Sequence, residues 1–98
     1  MRRHIPTTSM LLCFEAAARF GNFSRAAKEL SLSNSAISRS IQNLEDFLGM
    51  TLFVREKQRV YLNDDGQAYL ASITELLERL ENETARAIAR ATVDPVLK

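Results

Sequence analysis

FSRAAKELSLSNSAISRSIQNLE, residues Phe23–Glu45, decides the fold. It reads as two short helices joined by a turn at Ser31-Leu32. In the second of them, Ile37, Ile41, Leu44 and Leu48 recur at steps of four, three and four residues, which places an apolar stripe along one side of a 3.6-residue helix. The opposite face carries Asn34, Ser35, Ser38, Arg39 and Gln42, small or polar groups able to donate and accept hydrogen bonds. A helix with a buried back and such a front suits the reading of base-pair edges in duplex DNA. Upstream, Ser24 is expected to cap a short helix from Arg25 to Leu30, and the adjacent Ala26 and Ala27 allow another helix to approach closely. Ser33 caps the next helix, and Leu32 stands five residues ahead of Ile37, the spacing of a hydrophobic staple. Gly49 ends that helix.

On the N-terminal side, residues 1–6 are expected to form a mobile arm, and Pro6 with Thr7 or Thr8 marks a helix start. This first helix runs to Phe20, with Leu11, Phe14 and Ala18 inward, and Gly21 ends it. On the C-terminal side, Leu52-Phe53-Val54 and Val60-Tyr61-Leu62 are strand-like around a polar EKQR segment. This predicts a β-hairpin wing, anchored by Phe53 and Leu62. With no Asn-Gly or Asp-Gly pair at its tip, a loop wider than two residues is expected. Asn63 caps a last helix whose first turn holds Asp64 and Asp65, where carboxylates complement the helix dipole. The helix is expected to reach Ala91, with Pro95 as its stop. Leu70, Ile73, Leu77, Leu80, Thr84, Ala87 and Ala91 repeat at alternating steps of three and four, a heptad seam widened by Tyr69 and Leu76. So long a helix cannot be covered by the first 62 residues alone, so the outer seam needs a partner. The expected organisation is a DNA-binding unit over 1–62, a dimerisation helix over 63–91 and a tail over 92–98.

Ninety-eight residues, 46% hydrophobic and 26% charged, suffice for one ordinary globular domain. The net charge of +1 conceals an asymmetry. Residues 1–62 hold nine Lys/Arg against five Asp/Glu, whereas residues 63–98 hold four against seven. A basic front half suits a polyanion. The single Cys13 lies in the apolar run MLLCF and reads as a small core residue; the absence of a disulfide framework fits a reducing compartment. No apolar run approaches the roughly 20 residues that span a bilayer, and the N-terminus lacks the pattern of a secretory signal, so the cytoplasm is expected. His4 stands alone without metal-ligand company, no carboxylate pair sits beside a His or Lys, and no Gly-rich phosphate loop is present. Nothing points to an enzyme, a metal or a cofactor.

AARFGNFSRAAKELSLSNSAISRSIQNLEDFLGMTLFVR, followed by VYLNDDGQAYL, resembles the N-terminal DNA-binding region of LysR-type transcriptional regulators over about residues 5–90. The most specific matches are Phe23 through Ala27, Ser33 with Ala36-Ile37-Ser38, Ile41 with Leu44-Glu45, Leu48-Gly49, Leu52-Phe53 with Arg55, and Leu62 with Gly66. The resemblance implies a mainly α winged helix-turn-helix, three helices and a short β-hairpin, followed by a long helix that dimerises with its twin. It also implies binding to partly palindromic promoter sites and control of transcription. Three positions depart from the family pattern: Asn34 stands where Gln is usual, Asn63 where Thr is usual, and Thr8 in a slot usually apolar. Family members also carry a C-terminal effector-sensing domain that this sequence lacks, which leaves a fragment or a naturally short protein, and a tetramer if such a domain exists.

Ser33, Asn34, Ser35, Ser38, Arg39 and Gln42 are therefore expected to face a major groove. A guanidinium matches guanine O6 and N7, so Arg39 is the candidate base contact, with a phosphate clamp as its other role. Ser24, Arg25 and Lys28 would hold phosphates. Arg55, Lys57 and Arg59 belong to the wing, where Lys57 or Arg59 could enter a minor groove or simply be solvated, and Arg55 could instead pair with a carboxylate. Leu70, Ile73, Leu77, Leu80 and Ala87 are the expected dimer contacts. The competing reading is a winged-helix protein-interaction module that does not bind DNA itself; steep weakening by salt would separate the two.

Overall fold

A computed structural model describes residues 3–93. The chain runs α1 (Thr8–Phe20), α2 (Phe23–Glu29), α3 (Asn34–Leu48), β1 (Phe53–Glu56), β2 (Arg59–Leu62) and α4 (Asp64–Val93). The molecule measures 57 × 31 × 22 Å, and its long dimension comes from the outer part of α4. The sequence places α4's stop at Pro95, which lies outside the described residues.

Capping chemistry sets the helix limits. The Thr7 hydroxyl accepts from Met10 N and the Ser33 hydroxyl from Ala36 N, each at 3.1 Å. Gly21 and Gly49 close α1 and α3 in the left-handed conformation, at φ 64° and 76°. The cap of α2 is Asn22 rather than Ser24, because Asn22 Oδ1 accepts from Arg25 N at 2.9 Å. Its Nδ2 meanwhile donates to Gln58 O of the wing, a tertiary partner that Ser24 lacks. The helix-turn-helix closes through Ser31 at φ 58° and through Leu32 N donating to Ala27 O at 2.8 Å. Leu32 itself stays 40% exposed, while Ile37, its expected staple partner, is fully buried.

The core joins Cys13, Phe14, Ala16 and Ala17 of α1, Ala26 and Ala27 of α2, and Ile37, Ile41 and Leu44 of α3 to Leu52, Phe53 and Val60. Leu11 and Ala18, expected inward, and Leu48 are only half-buried; the α1 register instead turns Cys13, Ala16 and Ala17 in beside Phe14. The small residues let α1, α2 and α3 pack closely, and the Phe14 ring meets Phe53 edge-on at 5.7 Å.

The wing is antiparallel, pairing Phe53 with Leu62 and Glu56 with Arg59. Its tip is therefore the two residues Lys57-Gln58, tighter than expected, with Lys57 taking φ 57° in place of a glycine. The strands are held independently of the turn: Phe53 and Val60 face the core, and Val60 N donates to Gly21 O at 3.1 Å. That support tolerates an L-residue in a left-handed turn.

The joint between α3, the wing and α4 rests on the Leu52 peptide. Its N–H donates to Glu45 Oε2 at 2.8 Å, and its carbonyl accepts from Asn63 N at 2.9 Å. Asn63 also caps α4, with Oδ1 accepting from Gly66 N, and its Nδ2 donates to Thr51 O. Removing the Glu45 carboxylate strands a half-buried N–H, which costs about 1–3 kcal/mol. Glu45→Ala is therefore expected to lower the urea midpoint by that equivalent, while Glu45→Gln, which keeps a carbonyl acceptor, stays closer to the parent. Equal losses in both would show that the bond is dispensable.

Tyr69, Leu70 and Ile73 pack α4 onto the body, and burial pushes the Tyr69 phenol above its ordinary range. Two expected dimer contacts, Leu70 and Ile73, are thus occupied within the chain itself. Beyond them the seam opens: Leu76 and Leu80 are more than half exposed, as is Ile88, next to the seam residue Ala87.

Candidate nucleic-acid interface

Three elements meet at one corner through their side chains. Asn34, the first residue of α3, donates from Nδ2 to Ser24 Oγ on α2 at 3.0 Å. Asn22, at the head of α2, donates to Gln58 O at the wing tip at 3.3 Å. The Arg55 guanidinium of β1 lies 4.8 Å from the Phe23 ring centre on α2. This ring, rather than a carboxylate, is the structural partner of Arg55, whose side chain stays exposed.

The exposed strip of α3 follows helical steps of four. Ser35, Arg39 and Asn43 succeed one another along it, and Gln42 lies beside them. Arg39 lines an open groove between α3 and the start of α1, in company with Ser33, Ser35, Ser40, Asn43, Thr7 and Ser9. Beside Met10 and Ala36, the groove offers five hydroxyls, the Asn43 amide and one guanidinium, all able to meet phosphate oxygens or base edges. Ser38 sits on the flank and is only half exposed. Gln42 is engaged along its own helix, where Nε2 donates to Asp46 Oδ1 at 2.9 Å. Asp46 closes the strip electrostatically, because a carboxylate there repels a polyanion. The strip free of carboxylates is thus the first three turns of α3.

Cations surround the corner. Arg25 and Lys28 are exposed on α2, with the Arg25 guanidinium 5.5 Å from the Phe20 ring centre. Lys57 and Arg59 are exposed at the wing tip, where Arg59 lies 5.8 Å from the Tyr61 ring centre. None of these cations forms an ion pair among the described residues, in which the one salt bridge joins Arg86 to Glu83 on α4. No group of three or more His, Cys, Asp or Glu among the described residues could hold a metal ion.

The structure thus brings Ser24 and Asn34 into contact, groups Ser33, Ser35 and Arg39 around one groove, and leaves Gln42 tethered. Asn22 and Asn43 escaped the sequence reading. Asn43 was detectable, four residues beyond Arg39 on the same helix. The second bond of Asn22 was not, since it depends on a wing 36 residues away. His4, given no role, stacks on Phe47 with ring centres 4.7 Å apart, so this residue of the expected mobile arm lies against the end of α3, while the first two residues of that arm fall outside the described residues.

A second surface lies on α4. Thr8, Leu12 and Glu15 of α1 line an apolar groove with Leu77, Glu78, Leu80 and Glu81. Among the described residues no helix is long and apolar enough to cross a membrane.

Comparison with known proteins matches these features. The family model described as bacterial regulatory helix-turn-helix protein, lysR family, matches residues 8–67. The chain is 40% identical over 91 residues to the glycine cleavage system transcriptional activator of Escherichia coli strain K12, covering 93% of this chain and 30% of that protein. It is 39% identical over 97 residues to the homolog of that activator in Haemophilus influenzae, covering 99% of this chain and 32% of that protein. The crystal structure of a CbnR_DBD-DNA complex superposes with a TM-score of 0.80 at 34% identity, covering 87% of this chain and 98% of that one. A BenM_DBD/benA site 1 DNA complex superposes with a TM-score of 0.81 at 27% identity, covering 87% and 96%. The chain thus spans about a third of the relatives' length and nearly all of the two domains solved with DNA.

Proposed function

Because the chain belongs to the LysR family of bacterial regulatory helix-turn-helix proteins, we propose that it binds duplex DNA sequence-specifically as a homodimer and regulates transcription in the cytoplasm. The observation that carries this reading is the corner itself. The polar strip of α3 is exposed, its apolar back is buried, and the Asn34–Ser24 bond joins it to α2, which Asn22 in turn links to the wing; α2 and the wing carry cations without ion pairs among the described residues. That arrangement offers base edges a set of donors and acceptors and offers the backbone on either side a set of positive charges.

In this reading Ser33, Asn34, Ser35, Ser38, Arg39 and Gln42 approach a major groove, and Arg39 makes the base contact. Ser24, Arg25 and Lys28 hold phosphates, and Arg55, Lys57 and Arg59 serve the adjoining backbone or minor groove. Leu77, Leu80 and Ala87 meet the second copy, so that two recognition helices read two half-sites related by a two-fold axis. Leu70 and Ile73 support that face from within the chain. The relatives' additional length would accommodate further domains, and a tetramer belongs to that longer context.

Selecting bound duplexes from a random pool, followed by mobility-shift titration across salt, tests the reading. The expected result is a partly palindromic site whose affinity falls steeply with salt. Absence of any duplex binding at low salt overturns it. With the site known, Arg39→Ala is expected to lose about 1–3 kcal/mol of discrimination at one base pair per half-site. A uniform loss over all sequences would make Arg39 a phosphate contact.

A further inference from the structure

Resting on the DNA reading above, we propose that Asn34 reads one base pair through its carbonyl oxygen, with Ser24 as the positioning residue that fixes the orientation of its amide. An Asn side chain can present either its oxygen or its NH2 group to a base, and rotation about its last torsion exchanges the two. Here Asn34 Nδ2 is turned to Ser24 Oγ at 3.0 Å, across the helix-turn-helix from α3 to α2. A hydroxyl can accept or donate, and what commits the amide nitrogen toward α2 is Ser24 giving its own proton to a phosphate oxygen, which leaves Oγ as an acceptor only and Oδ1 as the end that faces away from Ser24. Asn34 is exposed at the first position of α3, ahead of the Ser35–Arg39–Asn43 strip, where a helix entering a groove meets base edges first.

The bond has a chemical consequence for specificity. An acceptor held toward the groove favours a base that donates there, adenine through N6 or cytosine through N4. Guanine O6 and thymine O4 are themselves acceptors and are disfavoured. Ser24 accepts the Asn34 bond with a lone pair, so its own proton stays free for a phosphate oxygen. One hydroxyl then links a backbone contact to a base contact.

The test compares the parent chain with Ser24→Ala, Ser24→Thr, Asn34→Ala and the double variant Ser24→Ala/Asn34→Ala. Each is titrated against the selected site and its three substitutions at every base pair of one half-site. The parent is expected to prefer adenine or cytosine on the contacted strand at one position by about tenfold. Asn34→Ala should remove that preference. Ser24→Ala should reduce it severalfold at the same position and at no other, because the freed amide can flip to serve an acceptor base. Ser24→Thr should restore it, and the double variant should match Asn34→Ala in preference at that position.

If Ser24→Ala instead weakens every sequence equally, with the base preference unchanged and, since the lost hydroxyl carries no charge, the salt slope as in the parent, Ser24 is a phosphate contact only and the inference falls. It also falls if Ser24→Ala leaves the preference intact, or if Asn34→Ala changes no position. A parent chain that binds no duplex overturns the DNA reading itself, which separates the two failures.

Discussion

Gly66→Ala is expected to destabilise the protein by about 3 kcal/mol or more, among the larger effects of a single methyl. Gly66 is buried in the first turn of α4 with no positive φ, so the demand is for space, not for an unusual backbone. A Cβ there would collide with the carbonyl oxygen of Leu52 and come within 2.9 Å of Leu62 Cδ2. The Leu52 carbonyl cannot simply withdraw, because it accepts from Asn63 N while the same residue's N–H is bound to Glu45. Relieving the clash means moving the start of α4 away from the wing root, which exposes Leu52 and loosens Ile73. Thermal unfolding should drop by roughly 15 °C for a domain of this size. A drop below about 4 °C would show that the backbone yields and the close approach is not required.

The other large effect concerns the outer half of α4. Leu77→Glu/Leu80→Glu is expected to give monomers in sedimentation and to lower affinity for the full palindromic site by a hundredfold or more. Leu77 is half-buried in the groove with Leu12, and Leu80 is 53% exposed in the single chain. Carboxylates at these positions are tolerated in one copy but would be buried unpaired against a second. The affinity loss follows from effective concentration: two recognition helices on one scaffold bind the second half-site as an intramolecular event. Helical content should change little, while unfolding of the dilute protein should shift only by the loss of the Leu77–Leu12 contact. Persistence of dimers would remove the outer seam as the interface, and a monomer with undiminished affinity would remove the need for two readers.

Local chemistry was the legible part of this sequence. Thr7, Ser33 and Asn63 cap as their side chains dictate, Gly21 and Gly49 end helices, and the Ile37–Ile41–Leu44 stripe is core. The misreadings occur where a distant segment decides between locally equivalent options. Asn22 and Ser24 both have cap chemistry, and the wing settles the choice by offering Gln58 O to Asn22 alone. The Lys57-Gln58 tip looked unsuited to a tight turn, yet the core positions of Phe53 and Val60 bring the strands together regardless of its composition. The heptad seam is continuous as a pattern, but its first members are taken up by α1 and the wing, and no periodicity reveals where that coverage stops. In the candidate interface, residue type located the polar strip of α3. The tethering of Gln42 by Asp46 and of Asn34 by Ser24 depended on which way side chains turn.

The Gly21-Asn22 joint has a kinetic meaning for a DNA reader. Through Val60 N on Gly21 O and Asn22 Nδ2 on Gln58 O, two consecutive residues hold the wing against the head of α2 before any ligand arrives. The ordering entropy of the hairpin is spent during folding and not at encounter. Capture of a site then depends on orientation and electrostatic steering, without a slower step in which a loose ribbon finds its place.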